Sequence, residues 1–305
     1  MLPVVFKIGS QPVSSFGLFL LLAFLTTSYV IWRLIKVYEI DEEKTIDLVL
    51  LTFFGGIIFA RIYFILFHLN DFQALDKIFL INRYPGLSFW GGVLGGMISL
   101  RLFSKRMKVN FYQAADIGII GLFAALIVAS FGCLLGSCQY GQVSNLPIAV
   151  TQIGIVGKRF PLQVVEAIIF LLSYLYLWRH SLKFHFNGQI LSLGLIILGI
   201  GKFILEFFRG DRQTVFGSLS LGLIWSLLLV VLGIKIYYGQ TKRSFKSDLR
   251  FFISFFYRTS TRRYFLTRLR KSWYNLRVDL KFFIVGLKRR VTKKMNIRAN
   301  PTKFD

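Results

Sequence analysis

Seven apolar runs, each near the ~20 residues that carry an α-helix across a bilayer, leave this chain few folds to choose from. They fall at about 16–35, 46–68, 86–104, 114–136, 162–179, 188–207 and 216–238. With 55% hydrophobic residues in 305 and a mean hydropathy of +0.60, a soluble globular protein is excluded. The expected fold is all-α: a polytopic membrane protein of about seven transmembrane helices. One membrane domain is expected over 1–239, followed by a basic, aromatic tail over 240–305. The third run is the weakest by hydropathy. It opens PGLSFWGGVLGGM, which suits a re-entrant start, and its Gly91/Gly95 and Gly92/Gly96 pairs have the spacing of tight helix contacts. The first run follows a single basic residue, Lys7, and lacks a small-residue cleavage site, so it reads as a retained helix.

Charge sets the orientation. Half of the 38 Lys and Arg lie beyond residue 240, where Asp248, Asp279 and Asp305 are the only acids. The connection after the third run carries Arg101, Lys105, Arg106 and Lys108, and the one after the fifth carries Arg179 and Lys183. With seven spans these segments share one side, which the positive-inside rule makes cytoplasmic. The N-terminus is then outside and the C-terminus inside. The tail interleaves basic and aromatic residues (TRRYFLTRLRKSWYNLR), a pattern suited to interfacial helices on anionic lipid. Nucleic acid ranks below lipid as its partner, because the tail is tethered beside a span and holds no nucleic-acid-binding motif.

Charges at bilayer depth cost several kcal/mol and demand a reason. Arg61 sits in the second run, Asp116 at the start of the fourth and Glu166 early in the fifth. Lys202, Glu206 and Arg209 close the sixth. Their i, i+4 and i, i+3 spacing puts all three on one helical face. Two readings are open: an internally neutralised cluster that ties helices together, or a cationic pocket for a phosphate. The stretch Ile127–Gly141 (IVASFGCLLGSCQYG) begins as a helix and ends as a glycine-rich turn. Its Gly132, Gly136 and Gly141 suit either a helix end beside a pocket or close helix approach.

Cys133 and Cys138 are five apart, off a common helical face unless the helix breaks between them. Buried inert thiols are the leading expectation, ahead of a redox pair or an acyl-carrying nucleophile. His68, His180 and His185 have no ligand spacing, so no metal site is expected. Trp90 reads as a packing or interface residue.

Five segments in order resemble the prolipoprotein diacylglyceryl transferase family over about residues 1–240. PGLSFWGGVLGG is similar to its GGLSFHGGLLGG-type segment, and FYQAAD resembles its third-to-fourth loop. SFGCLLGSCQYG falls where the family has a glycine-rich signature. FPLQVVEA resembles HPxQLYEA, and GKFILEFFR resembles RFxxEFFR. The resemblance implies an enzyme of the plasma (inner) membrane that moves diacylglyceryl from phosphatidylglycerol to the lipobox cysteine of a preprolipoprotein, guided by its signal peptide. Glycerol phosphate is released, and no metal or organic cofactor is needed.

By motif position, the resemblance assigns catalysis to Arg61, Lys202, Glu206 and Arg209. It assigns lipid binding to Trp90, Ser130, Gly141, Gln163 and Glu166, and Asp116 also matches. The departures are specific. Trp90 replaces a histidine, Ser130 an arginine, Cys133 an asparagine, Lys202 an arginine and Leu198 a tyrosine, while Phe16-Gly17 replaces an early Tyr-Gly. Tryptophan cannot relay a proton, and lysine lacks the bidentate fork. The alternative is therefore a catalytically impaired relative that binds phospholipid or lipoproteins without turnover.

Overall fold

The structure, a computed structural model, describes residues 4–8, 11–38, 40–69, 86–152, 154–212, 214–216 and 219–241, with a few tail positions between 244 and 270. Two units are distinguished, 1–242 and 243–305. The first holds seven long helices among its described residues: α1 (Ser15–Tyr38), α2 (Glu42–Phe67), α3 (Phe89–Arg106), α4 (Phe111–Leu135), α5 (Leu162–Ser181), α6 (Gln189–Glu206) and α7 (Leu221–Thr241). Six of them are long and apolar enough to cross a membrane. The exception is α3, whose last two turns carry Arg101, Lys105 and Arg106. The chain is a multi-pass, all-α membrane protein.

Among the described residues three short antiparallel hairpins, absent from the all-α expectation, are added at connections. They are β1 (Val4–Ile8) with β2 (Gln11–Ser14), β3 (Val150–Thr151) with β4 (Lys158–Arg159), and β5 (Thr214–Phe216) with β6 (Leu219–Ser220). They precede α1, join α4 to α5, and join α6 to α7, the end at which the polar network described below is built.

Burial separates the helices by role. On α4, Ile117, Ile120 and Phe123 join Leu34 and Ile35 of α1, Phe170 and Leu177 of α5, and Ile190, Leu195 and Leu198 of α6 in one core. An all-round apolar helix belongs in such a centre. By contrast, α2 leaves Phe54, Ile58, Ile62 and Leu66 exposed, a stripe that would aggregate in water but is matched to lipid tails. The α2–α3 seam is closed by glycine. A Cβ on Gly91 would run into Tyr63, and one on Gly95 into Phe59. The neighbouring pair is looser: a Cβ on Gly92 would stand 3.7 Å from that of Ala60 and one on Gly96 3.9 Å from Thr52. Of the two small-xxx-small pairs, Gly91/Gly95 makes the tight contact.

Opposite ends of the bundle are fixed differently. At the end where α1 finishes and α6 begins, Asp116 is completely buried. Its carboxylate accepts from the backbone N–H of Gly188 and of Leu191, both at 2.6 Å. One α4 side chain thereby caps α6, satisfying amides that a helix start leaves without partners. Beside it, Tyr38 Oη lies 2.8 Å from His185 Nε2. At the other end, Gly132 and Gly136 of α4 pack on Phe19 and Phe16 of α1.

In the second unit only isolated positions are described. There Thr267 Oγ1 donates to Arg263 O at 3.0 Å, one helical turn back. The interfacial helices expected of the tail otherwise lie outside the described residues.

Candidate functional site

The site is built where α4 stops. The helix ends at Leu135 with Gly136 as C-cap, and Ser137 and Gln139 then adopt left-handed backbone at φ 59° and 50°. This sharp turn brings Cys138 back over the helix end, where it is disulfide-bonded to Cys133. The expectation of two inert thiols is thus corrected. Five-residue spacing separates the cysteines on a continuous helix, but the break at Gly136 removes that separation. No free cysteine is left to serve as an acyl-carrying nucleophile, since the chain has only these two.

Beyond the turn the chain becomes extended and pairs with the segment that follows α6. Gly141 bridges Arg209 in antiparallel fashion. Gln142 N–H donates to Phe208 O at 3.0 Å, Gly210 N–H donates to Tyr140 O at 2.8 Å, and Gln142 Nε2 reaches Phe207 O at 2.9 Å. Only glycine fits at 141, because a Cβ there would strike the carbonyl of Phe160. From α5, buried Gln163 donates Nε2 to Cys138 O at 2.6 Å. Among the described residues its Oε1 is buried with no hydrogen-bond partner. Turning the amide over would set oxygen against oxygen, so the orphan is an acceptor.

Arg209 therefore lies on this extended segment and not on α6, which ends at Glu206. The one-face reading of Lys202, Glu206 and Arg209 fails at its last member for that reason. Arg209 grips Asp211 bidentately (Nε–Oδ1 3.0 Å, Nη2–Oδ2 3.1 Å) and reaches Glu206 Oε2 through Nη1 at 3.1 Å. Burial works against its charge, but the bonds and charge of Asp211 and Glu206 more than offset this and raise its pKa above the usual value. Glu206 also accepts from Ser220 Oγ at 2.8 Å, and its backbone carbonyl takes Arg212 Nε at 2.7 Å. Lys202 turns away to α5, where it is ion-paired and hydrogen-bonded to Glu166. Its Nζ stands 4.2 Å from the Phe89 ring and 5.5 Å from the Phe170 ring. Such aromatic faces suit a desolvated cation.

The other predicted residues sit around this network. Arg61 is buried in α2 and donates Nη1 to Gly86 O at 3.0 Å, just before α3. Trp90 packs edge-on against Phe89 and stacks on Trp225, whose Nε1 donates to Tyr63 Oη at 2.6 Å. Ser130 directs its hydroxyl to its own helix, at Leu126 O, 2.8 Å away. An apolar cleft of about 250 Å³ between α1 and α2, lined by Phe24, Trp32, Ile46 and Leu50 among others, involves none of the predicted site residues.

The arrangement is a set of cations held by acids rather than bare charge. Lys202 and Arg209 retain further N–H donors beyond those used, and Gln163 contributes an open acceptor. Such a network can receive an anion with hydroxyl groups. Asp211, Ser220 and Phe89 were missed in the sequence, although RGDR beside Arg209 offered a cue for Asp211. The Tyr63–Trp225 contact, between residues far apart in sequence, left no trace in it.

Fold and site together define an integral membrane protein with an ion-paired polar centre at one end of a helical bundle. The model of the prolipoprotein diacylglyceryl transferase family matches residues 3–239, and the chain belongs to that family. Its relatives include the phosphatidylglycerol–prolipoprotein diacylglyceryl transferase of Clostridium tetani, 27% identical over 78% of this chain and 97% of the relative. That of Finegoldia magna is 26% identical over 80% and 98%. That of Aliarcobacter butzleri is 29% identical over 79% and 94%.

Proposed function

We propose that this chain transfers diacylglyceryl from phosphatidylglycerol to the cysteine thiol of a prolipoprotein, the two substrates that the names of its relatives carry. The acceptor sulfur attacks the glycerol carbon bearing the phosphate. A C–S bond forms, the C–O bond breaks, and glycerol phosphate departs with that bonding pair. Negative charge concentrates on the leaving phosphate, so donors fixed before the reaction stabilise it most. Lys202 and Arg209 supply those donors, Gln163 Oε1 accepts from a headgroup hydroxyl, and Arg61 holds the start of α3 against α2. With Trp90 in place of a histidine, the groups of the network able to take the thiol proton are Glu166, Glu206 and Asp211.

The single observation behind this reading is the ion-paired Lys202–Glu166 and Arg209–Glu206–Asp211 set, with Arg209 on the segment that pairs with the chain leaving the α4 turn. Purified protein supplied with phosphatidylglycerol vesicles and a lipobox peptide should yield peptide heavier by one diacylglyceryl group, with glycerol phosphate released. Arg209→Ala should slow this by about 100-fold or more. Folded protein that lipidates no peptide would overturn the assignment. A second reading, phospholipid or lipoprotein binding without turnover, is favoured by the same pairing of cations with acids. Vesicle binding with no release of glycerol phosphate would select it.

The proposed orientation is N-terminus out and C-terminus in, within the plasma membrane. The cationic connections support it. So does the disulfide, because disulfides persist in oxidising compartments and this one lies at the end of α4 assigned to the outside. Anionic lipid is the proposed partner of the basic tail, and the signal peptide of the preprotein the proposed guide of the acceptor.

A further inference from the structure

We propose that the Cys133–Cys138 disulfide is a positioning lock that holds the Tyr140–Gln142 segment on Arg209. The proposal rests on the transferase reading for its kinetic consequence but not for its structural one. The turn closed by the disulfide holds two non-glycine residues in left-handed backbone, Ser137 and Gln139. Such residues persist only where surrounding structure over-determines them. Among the described residues the determinants include Cys138 N–H to Cys133 O at 3.0 Å, Gln163 to Cys138 O, and the covalent bond. Directly after the turn come the bonds that set Arg209, from Gly210 N–H to Tyr140 O and from Gln142 N–H to Phe208 O. A loosened turn therefore transmits to the guanidinium through three residues of chain. The five-residue spacing makes the covalent loop small, so the bond acts on local geometry more than on the entropy of the unfolded chain.

Opening the lock requires a reductant. A dithiol gives up two electrons and two protons. Its thiolate attacks one sulfur to form a mixed disulfide, and its second thiol releases Cys133 and Cys138 as two thiols while closing a cyclic disulfide.

The test compares the oxidised full-length protein, the protein reduced with dithiothreitol, and C133S/C138S, all in phosphatidylglycerol vesicles. Reduction and the double substitution should each lower kcat by about 10-fold, since small misplacements of positioning groups carry such costs. KM for the lipid should move less than kcat, and reoxidation should restore the reduced protein. Amide exchange at Gln142 and Gly210 should quicken while exchange in the α4 interior does not change. If the bond is merely stabilising, its reduction or substitution should lower the melting temperature and leave kcat and those two amides unaltered, which would overturn the lock. If oxidised protein transfers no lipid, the transferase reading falls instead, and the exchange at Gln142 and Gly210 alone decides.

Discussion

The two ends of the bundle treat their acids in opposite ways. Asp116 is held by two backbone amides that cannot leave, so it is part of the frame of α6. Glu166, Glu206 and Asp211 are held largely by the side chains of Lys202, Arg209 and Ser220. All four acids lie on or beside helices that span the membrane. The difference teaches that depth and charge alone do not set an acid's role; what the carboxylate is bonded to matters as well.

The sharpest way to break this comparison is Asp116→Ala. It leaves the amides of Gly188 and Leu191 buried without an acceptor, and should destabilise the protein by about 2–4 kcal/mol, read as a lowered unfolding midpoint in detergent. Activity per folded molecule should hardly change. A specific loss of turnover in a fully folded variant would place Asp116 in the chemistry and erase the contrast. Lys202→Arg should have a smaller effect. It restores the planar fork but must share Glu166 and the Phe89 face, and turnover should shift by about 3- to 10-fold in either direction. A rise would mean that lysine weakens the native centre, whereas a fall would mean that the pocket is shaped for lysine. The smallest effect is expected at Asp41, an exposed cap of α2 bonded to Lys44 N–H at 3.2 Å. The backbone and side-chain bonds of Lys44 hold its pKa below the ordinary value. Its contribution is therefore present above the unfolded carboxylate pKa and is lost as pH falls through the lower folded one. Asp41→Asn should unfold slightly below the parent at neutral pH, and the gap should close as pH falls through that acidic window. A gap that stays constant down through the window would contradict a charge-dependent cap.

Much of the site was legible in the sequence because charge inside an apolar run is conspicuous. Arg61, Glu166, Lys202 and Glu206 stand out within their spans, and each is anchored to another helix or connection. Arg209 was found for a partly mistaken reason. Helical spacing placed it on the face of Lys202, whereas the helix ends three residues earlier and a bridge to Gly141 holds it. Ser130, picked by motif position, bonds its own helix, since a short hydroxyl finds the carbonyl four residues back before any distant partner. The cysteine pairing escaped because it depends on where α4 breaks, and helix ends are poorly fixed by local pattern.

The sequence alone determined that this chain spans a membrane, roughly where, and which cations needed partners, because lipid tolerates neither bare backbone nor bare charge. Which acid met which cation, and which glycine seam closed, was decided only by tertiary structure. Those outcomes depend on a turn of left-handed backbone and on approaches of a few ångströms between segments far apart in the chain.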